Sequence, residues 1–159
     1  MPFMILEKPA KTVASYRVIG PYETSVKQGF EQLMPWAQEH KLGEGEWLTI
    51  FWDNPNTTAP QECRADSSVS VAEDFKVDST AEGITLQTLP AGTYAAFHTT
   101  VDDDNFAQAW TDFFNLHIAN SGYRPDGRAC YEEYLNDGRQ TGMFEVVLYQ
   151  SVEKIATIR

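Results

Sequence analysis

The chain has 159 residues, a length typical of one domain, and 42% of them are hydrophobic, enough for a buried core without disulfides or metal. Its 23 acidic residues outnumber its 12 basic ones, and the formal net charge is −11. Because DNA binding depends largely on basic side chains that neutralise phosphates, this balance argues against direct nucleic-acid binding. The same charge favours cationic ligands or a basic protein surface.

Targeting segments and metal ligands have weak support in this sequence. Residues 1–11 lack the basic and apolar regions of a signal peptide, and no apolar run approaches the roughly 18 residues of a membrane span. Cys63 and Cys130 lack a partner at C-x-x-C spacing, and the three histidines are far apart. We therefore predict a cytoplasmic protein without membrane contact, with free buried thiols, no metal site and no cofactor.

Hydrophobic periodicity predicts an α+β fold. In chain order the predicted elements are strand 12–19, helix 23–40, strands 47–52, 63–71 and 84–89, strand 92–99, helix 104–119, and strands 130–135 and 144–150. The second helix follows the acidic run 102–104, which suits the positive end of the helix dipole. Its aromatic residues Phe113 and Phe114 are expected to pack in the core. The polar segment 53–62 is predicted to be a surface loop.

The order of these elements indicates an internal duplication. A strand-helix-strand-strand unit occurs twice, and segment 47–51 aligns with 130–134. We predict a single domain of two repeats, about 1–80 and 81–159. The two repeats are expected to form an antiparallel sheet with two helices on one face and a central groove on the other.

Strand alternation assigns side chains to the two faces of this sheet. The apolar Phe144, Val146 and Leu148 should face the helices, which places Tyr149 on the groove side. In strand 47–52, alternation places every second residue, beginning with Trp47, on the groove side. Because strand 130–135 aligns with strand 47–52 in the repeat, we assign its alternate residues to the same side, and the two strands together complete the predicted ligand site. Its residues are Trp47, Thr49, Phe51, Glu132, Tyr134 and Tyr149.

The predicted site combines one carboxylate with aromatic rings. That combination suits a flat organic cation, because ring faces attract cations and the carboxylate of Glu132 supplies the opposite charge. The alternative is that Glu132 is an ordinary solvated strand residue. A shift of one residue would exchange the two faces and replace Glu132 with Glu133.

Four short segments occur in this order along the chain: 29–33 (GFEQL), 51–55 (FWDNP), 90–95 (PAGTYA) and 130–136 (CYEEYLN). Together they resemble the GyrI-like family of small-molecule-binding proteins. The resemblance covers nearly the whole chain and implies a duplicated fold with a central groove. It also implies a ligand-binding glutamate in an E-x-Y pattern, which maps onto Glu132 and Tyr134.

Three functions follow from this resemblance. The family includes free-standing inhibitors of DNA gyrase, drug-binding effector domains of transcription regulators, and hydrolases of cyclopropane-containing DNA-alkylating toxins. The first is favoured here, because the chain begins at its first predicted strand without room for a DNA-binding module. The expected partners are a small cationic or aromatic ligand and DNA gyrase. A hydrolase that uses Glu132 to activate water, and a partner-binding module, are the alternatives.

Overall fold

The structure is a computed structural model, and it describes residues 2–77, 81–103 and 105–156. The elements within these ranges are β1 (Phe3–Lys8), β2 (Lys11–Ile19), α1 (Tyr22–Glu39), β3 (Trp47–Phe51), β4 (Arg64–Ser70), β5 (Ile84–Leu89), β6 (Gly92–Asp102), α2 (Phe106–Asp112), β7 (Tyr123–Tyr134) and β8 (Met143–Lys154). A π-helical segment, Phe113–Ile118, continues α2. The α+β class, the antiparallel pairing and the two helices of the prediction are confirmed.

Several elements differ from the predicted ones. Strand β1 is absent from the prediction, because its pairing partner is β6, far away along the chain. Strands β7 and β8 are longer than predicted, since they pair again beyond a bulge between Pro125 and Cys130. The second helix begins at Phe106, and Asp104 of the predicted acidic run lies outside the described residues.

One compact unit comprises residues Ala10–Pro90. Its antiparallel sheet has the strand order β3-β4-β2-β5, and α1 packs on one face. The fully buried positions of α1 recur every four residues and are mostly small: Ser25, Gly29, Leu33 and Ala37. Such small residues let the helix backbone approach the sheet closely, and a Cβ on Gly29 would lie 2.9 Å from Val18 Cγ1.

The other compact unit contains residues 2–9 and 91–156. Its strand order, β7-β8-β6-β1, repeats that of the first unit, with α2 and the π-helical segment on one face. The buried core of this unit includes Phe113, as predicted, together with Val146 and Leu148. Phe114 packs against the same cluster.

Each unit contains one strand from the other half of the sequence. Strand β1 precedes Pro9 and Ala10 but pairs with β6, and β5 precedes Pro90 and Ala91 but pairs with β2. The repeat is therefore strand-strand-helix-strand-strand, with its first strand exchanged between the units. The predicted single domain and the central groove stay predictions, and the predicted boundary near residue 80 falls at residues 78–80, which are outside the described ranges.

Three general features of the described residues bear on function. None of their helices is both long and apolar enough to cross a membrane. Their His, Cys, Asp and Glu side chains form no cluster of three or more suited to a metal ion. Both cysteines are free thiols; Cys63 is buried as predicted, whereas Cys130 is only half-buried.

Candidate functional site

Glu132 lies on β7, on the face of the sheet that is covered by α2. Its neighbour in the pairing register is Leu148 of β8, which is fully buried in the aromatic core under α2. Paired residues on adjacent antiparallel strands point to the same face. The Glu132 side chain therefore projects toward the helix, and the residue is 4% exposed.

Two neutral donors bind the carboxylate of Glu132. The indole Nε1 of Trp110 on α2 donates to Oε1 at 2.8 Å, and the hydroxyl of Tyr134 donates to Oε2 at 2.7 Å. Neither donor brings a positive charge. The two hydrogen bonds satisfy the oxygens, but they leave the negative charge of an ionised Glu132 uncompensated.

This environment favours the protonated form of Glu132. Burial raises the pKa of the carboxyl from 4.5 to about 7, and the hydrogen bonds from Trp110 and Tyr134 offset only part of that effect. A carboxyl with a pKa near neutrality exchanges its proton at physiological pH. Glu132 is therefore a candidate for binding a cation or transferring a proton.

Aromatic rings surround this carboxyl group. Tyr134 makes ring contacts with Phe106 and Phe144, and Trp110 contacts Phe113 at a centroid distance of 5.7 Å. The π-helical segment begins at Phe113, directly after α2. Segments of π-helix are rare and often occur at functional sites, where they change the direction in which side chains project.

A second buried acid, Asp66, provides a comparison. It is 2% exposed, on the face of β4 opposite α1, and Arg17 donates to both of its oxygens. Trp52 Nε1 and Gln87 Nε2 also donate to Asp66. Burial acts to raise the pKa of Asp66, but the hydrogen bonds outweigh it and lower the pKa below 3.8. The charge of Asp66 is thus compensated by the guanidinium of Arg17, whereas the two hydrogen-bond donors to Glu132 are neutral.

The predicted faces of β3 are wrong. Trp47 and Phe51 pack edge-on against Phe30 and Tyr22 of α1, at centroid distances of 6.2 and 4.9 Å. Thr49 lies between them on the same face. The physical reason is that the opposite face of β3 is also buried: Leu48 and Ile50 are 0% and 1% exposed. Alternation of hydrophobicity cannot identify the helix side of a strand that is covered on both faces.

The predicted faces of β7 are wrong in the same way. Glu132 and Tyr134 are brought together as expected, but on the helix side of the sheet. Tyr149 faces away from α2, as predicted, and stacks on Tyr131 at 4.7 Å. Glu132 and Tyr149 therefore lie on opposite faces of one sheet. The ligand-binding roles assigned to all six residues stay predictions.

Sequence reasoning missed two residues, each of which contacts a different predicted site residue. Trp110 lies within the predicted helix 104–119 and has no predicted site role, although a buried indole N–H needs an acceptor, which is a signal that points to a nearby carboxylate. Lys8 lies on the unpredicted strand β1, and its Nζ is 4.0 Å from the Tyr149 ring centroid.

Comparison with known proteins identifies close relatives. The GyrI-like small molecule binding domain matches residues 1–150. A DNA gyrase inhibitor of Yersinia enterocolitica is 46% identical over 97% of this chain and 99% of its own length. A DNA gyrase inhibitor of Serratia proteamaculans is 42% identical over the same shares of the two chains.

A solved structure shows the same fold at much lower sequence identity. An uncharacterized conserved protein from Listeria innocua superposes with a TM-score of 0.73 and is 13% identical, over 95% of this chain and 92% of that one. Because the family match covers nearly the whole chain and the two curated relatives exceed 40% identity, this protein belongs to the GyrI-like small-molecule-binding family.

Proposed function

We propose that this protein is a cytoplasmic inhibitor of DNA gyrase that also binds a small organic cation at Glu132. The observation that carries the first part is full-length similarity to proteins named DNA gyrase inhibitor, at 46% and 42% identity. The observation that carries the second part is the buried carboxyl of Glu132, whose two hydrogen-bond donors are both neutral.

The net charge supports contact with gyrase. A formal charge of −11 on 159 residues favours association with the basic surface that an enzyme uses to hold DNA. Such an interaction competes with DNA without requiring this protein to bind DNA itself. It also weakens with ionic strength, since the Debye length shortens to about 8 Å at 0.15 M salt.

We expect the purified protein to reduce supercoiling of relaxed plasmid by purified DNA gyrase. Inhibition should decrease as potassium chloride is raised within the range that gyrase tolerates, because the attraction is electrostatic. Relaxation of the same plasmid by a type I topoisomerase is the control and should be unaffected. Unchanged supercoiling at a large molar excess of the protein would contradict the proposal.

The proposed ligand site depends on the charge of Glu132. An organic cation beside the ionised carboxylate would supply the missing positive charge, and the surrounding rings of Trp110 and Tyr134 attract cations through their faces. Because Glu132 is 4% exposed, a ligand reaches it only when one of these two side chains moves. Trp110 is held by α2, so displacement of that helix is the expected route.

We expect the fluorescent cation ethidium to bind the wild-type protein and to bind Glu132→Gln at least about tenfold more weakly at pH 8, since the paired charge is lost. A proton competes with the cation for Glu132. Wild-type affinity should therefore fall about fivefold from pH 7 to pH 6 and about tenfold more by pH 5, given a pKa of about 7. Affinity of Glu132→Gln should not change over that range.

Two controls make this titration specific. Glu133→Gln removes the same charge from the neighbouring residue, whose side chain projects to the opposite face. It should retain wild-type affinity and pH dependence. Phenanthridine, which lacks the fixed charge of ethidium, should bind both proteins alike. Equal loss of ethidium binding in the Glu132 and Glu133 variants would show that only the overall charge matters.

A further inference from the structure

The pairing of β1 with β6 ends before β6 itself ends. The register of the two strands stops at Phe3 and Phe97, and the N–H of His98 then donates to the carbonyl of Pro2 at 2.8 Å. Strand β6 continues to Asp102 and stays paired with β8 over that whole length. In the described part of the chain, the last residues of β6 therefore form an open edge of the sheet.

Thr100 presents both of its backbone hydrogen-bonding groups at this edge. In an antiparallel strand the N–H and C=O of one residue point to the same side, and the side alternates along the strand. Because the N–H of His98 points toward β1, the groups of Thr100 point the same way, and those of Thr99 point toward β8. Among the described residues, none pairs with Thr100 across the open edge. An added strand could pair with it there.

A groove lies beside this edge, between β6 and the helical segment made of α2 and its π-helical continuation. Its volume is about 360 Å³. We call it the β6 groove, and its described lining includes Thr99, Val101, Ala109, Asp112, Leu116 and Met143. Leu116 and Met143 are apolar but 59% and 45% exposed. Exposed apolar side chains beside an open strand edge are typical of protein-binding surfaces.

Strand β1 shows how a neighbouring strand packs at the start of this groove. Phe3, opposite Phe97, stacks on His117 at a centroid distance of 5.4 Å and contacts Phe113 at 6.2 Å. His117 also lines the β6 groove. Alternate residues of a strand share a face, so a residue opposite Val101 would project to the same side as Phe3. An apolar side chain at that position would enter the groove.

The rim of the β6 groove is acidic. Asp102 at the end of β6 and Asp112 on α2 both line it, and Asp103 follows directly in the sequence. Asn105 donates to Asp102 at 2.6 Å, and Gln108 donates to Asp112 at 2.8 Å; both of these donors are neutral amides. None of the described residues that line the groove is Lys or Arg. Electrostatic complementarity therefore favours cationic side chains on an added strand.

We infer that the β6 groove docks an extended, basic segment of a partner protein by β-strand addition to the open edge at Thr100. Apolar side chains at alternate positions of the segment enter the groove, and the cationic residues between them lie near Asp102. A second copy of this chain fits less well, because it carries the same net charge of −11. Glu132 is not among the described residues that line the groove, so the inference does not depend on cation binding there.

A fluorescein-labelled peptide of sequence Lys-Val-Lys-Val-Lys has the required alternation and is a suitable probe. By fluorescence anisotropy at constant low ionic strength, we expect Asp112→Asn to bind it about two- to fivefold more weakly than the wild type. Thr100→Pro removes the N–H at the open edge but leaves the pairing with β8, and it should weaken binding about five- to tenfold. Glu31→Gln removes an exposed acid from α1, in the other unit, and should have an effect of less than about twofold.

Methylation of single backbone nitrogens in the peptide tests the strand geometry. With both valine side chains in the β6 groove, the N–H of the central lysine points toward the carbonyl of Thr100, whereas the N–H of each valine points away. Methylation of the central lysine nitrogen should weaken binding at least about fivefold, and methylation of a valine nitrogen by less than about twofold. Hydrogen exchange of the Thr100 amide should slow at least about tenfold at saturating peptide, because that amide becomes bonded.

Several results would overturn the inference. These are undetectable binding of the peptide to the wild type, equal effects of lysine and valine methylation, equal losses in Asp112→Asn and Glu31→Gln, or unchanged exchange of the Thr100 amide. Self-association of the wild type that Thr100→Pro abolishes would assign the edge to a second copy instead. Circular dichroism would establish that each variant is folded. The peptide titrations involve neither gyrase nor ethidium, so this inference and the proposed function can fail separately.

Discussion

Replacement of Glu132 with glutamine is expected to increase the free energy of unfolding by about 3 kcal/mol at pH 8. The pKa of this carboxyl rises from 4.5 to about 7 on folding, and one pKa unit corresponds to about 1.4 kcal/mol. The glutamine carbonyl can still accept from Trp110 Nε1, and the Tyr134 hydroxyl can turn to accept from the amide. The substitution therefore removes a buried charge and keeps both contacts.

The pH dependence has a definite sign. Between about pH 4.5 and pH 7 the unfolded chain has lost the proton of Glu132 while the folded protein retains it, so the folded state binds more protons. The stability contributed by this group is fully present below pH 4.5 and is lost as the pH rises to about 7. The stability of Glu132→Gln should not fall in this way as the pH rises. The variant and the wild type should therefore have similar stability near pH 4.

Urea unfolding at intervals from pH 4 to pH 8 measures this effect, provided that the slopes of the transitions are equal. Glu133→Gln is the matched control and should follow the wild-type profile. A stability difference between the wild type and Glu132→Gln that does not vary with pH would mean that folding does not raise the pKa of Glu132. The cation-binding proposal would then lose its predicted pH dependence but not its charge dependence.

Replacement of Gly29 with valine is expected to destabilise the protein by about 3 kcal/mol, which is the upper part of the usual range for overpacking. A Cβ at this position would lie 2.9 Å from both Ser67 Cβ and Val18 Cγ1, and closer still to Ser67 Oγ. Ser67 cannot turn away freely, because its hydroxyl donates to the carbonyl of Val26. Helix α1 would have to move away from β2 and β4.

Gly43→Val is the control for this substitution, since a Cβ on Gly43 meets no atom within 4 Å. Its effect should stay within about 0.5 kcal/mol, as for other exposed positions. Gly29→Ala should fall between the two, because the smaller side chain requires less movement and gains helix propensity of up to about 1 kcal/mol. Equal stability of Gly29→Val and the wild type would show that α1 is not confined by this contact.

Most of the elements and their repetition could be predicted from residue patterns along the chain. Helical spacing placed α1 within one residue at each end, and alternation with turn residues located seven of the eight described strands. The E-x-Y pattern identified Glu132 and Tyr134, which the structure joins by a 2.7 Å hydrogen bond. These features are local, since they depend on residues a few positions apart, and local spacing is what a single sequence records directly.

The face of the sheet that each site residue occupies, and the pairing of the strands, depend on the tertiary structure. The helix side of β3 was ambiguous because Leu48 and Ile50 are as deeply buried as Thr49 on the opposite face. Glu132 belongs to the helix side because Trp110, 22 residues earlier, supplies the donor that permits a carboxyl group to be buried there. Strand β1 and its Lys8 became visible only through pairing with β6. Such choices depend on contacts between distant segments, and a one-residue change of phase leaves every local pattern intact.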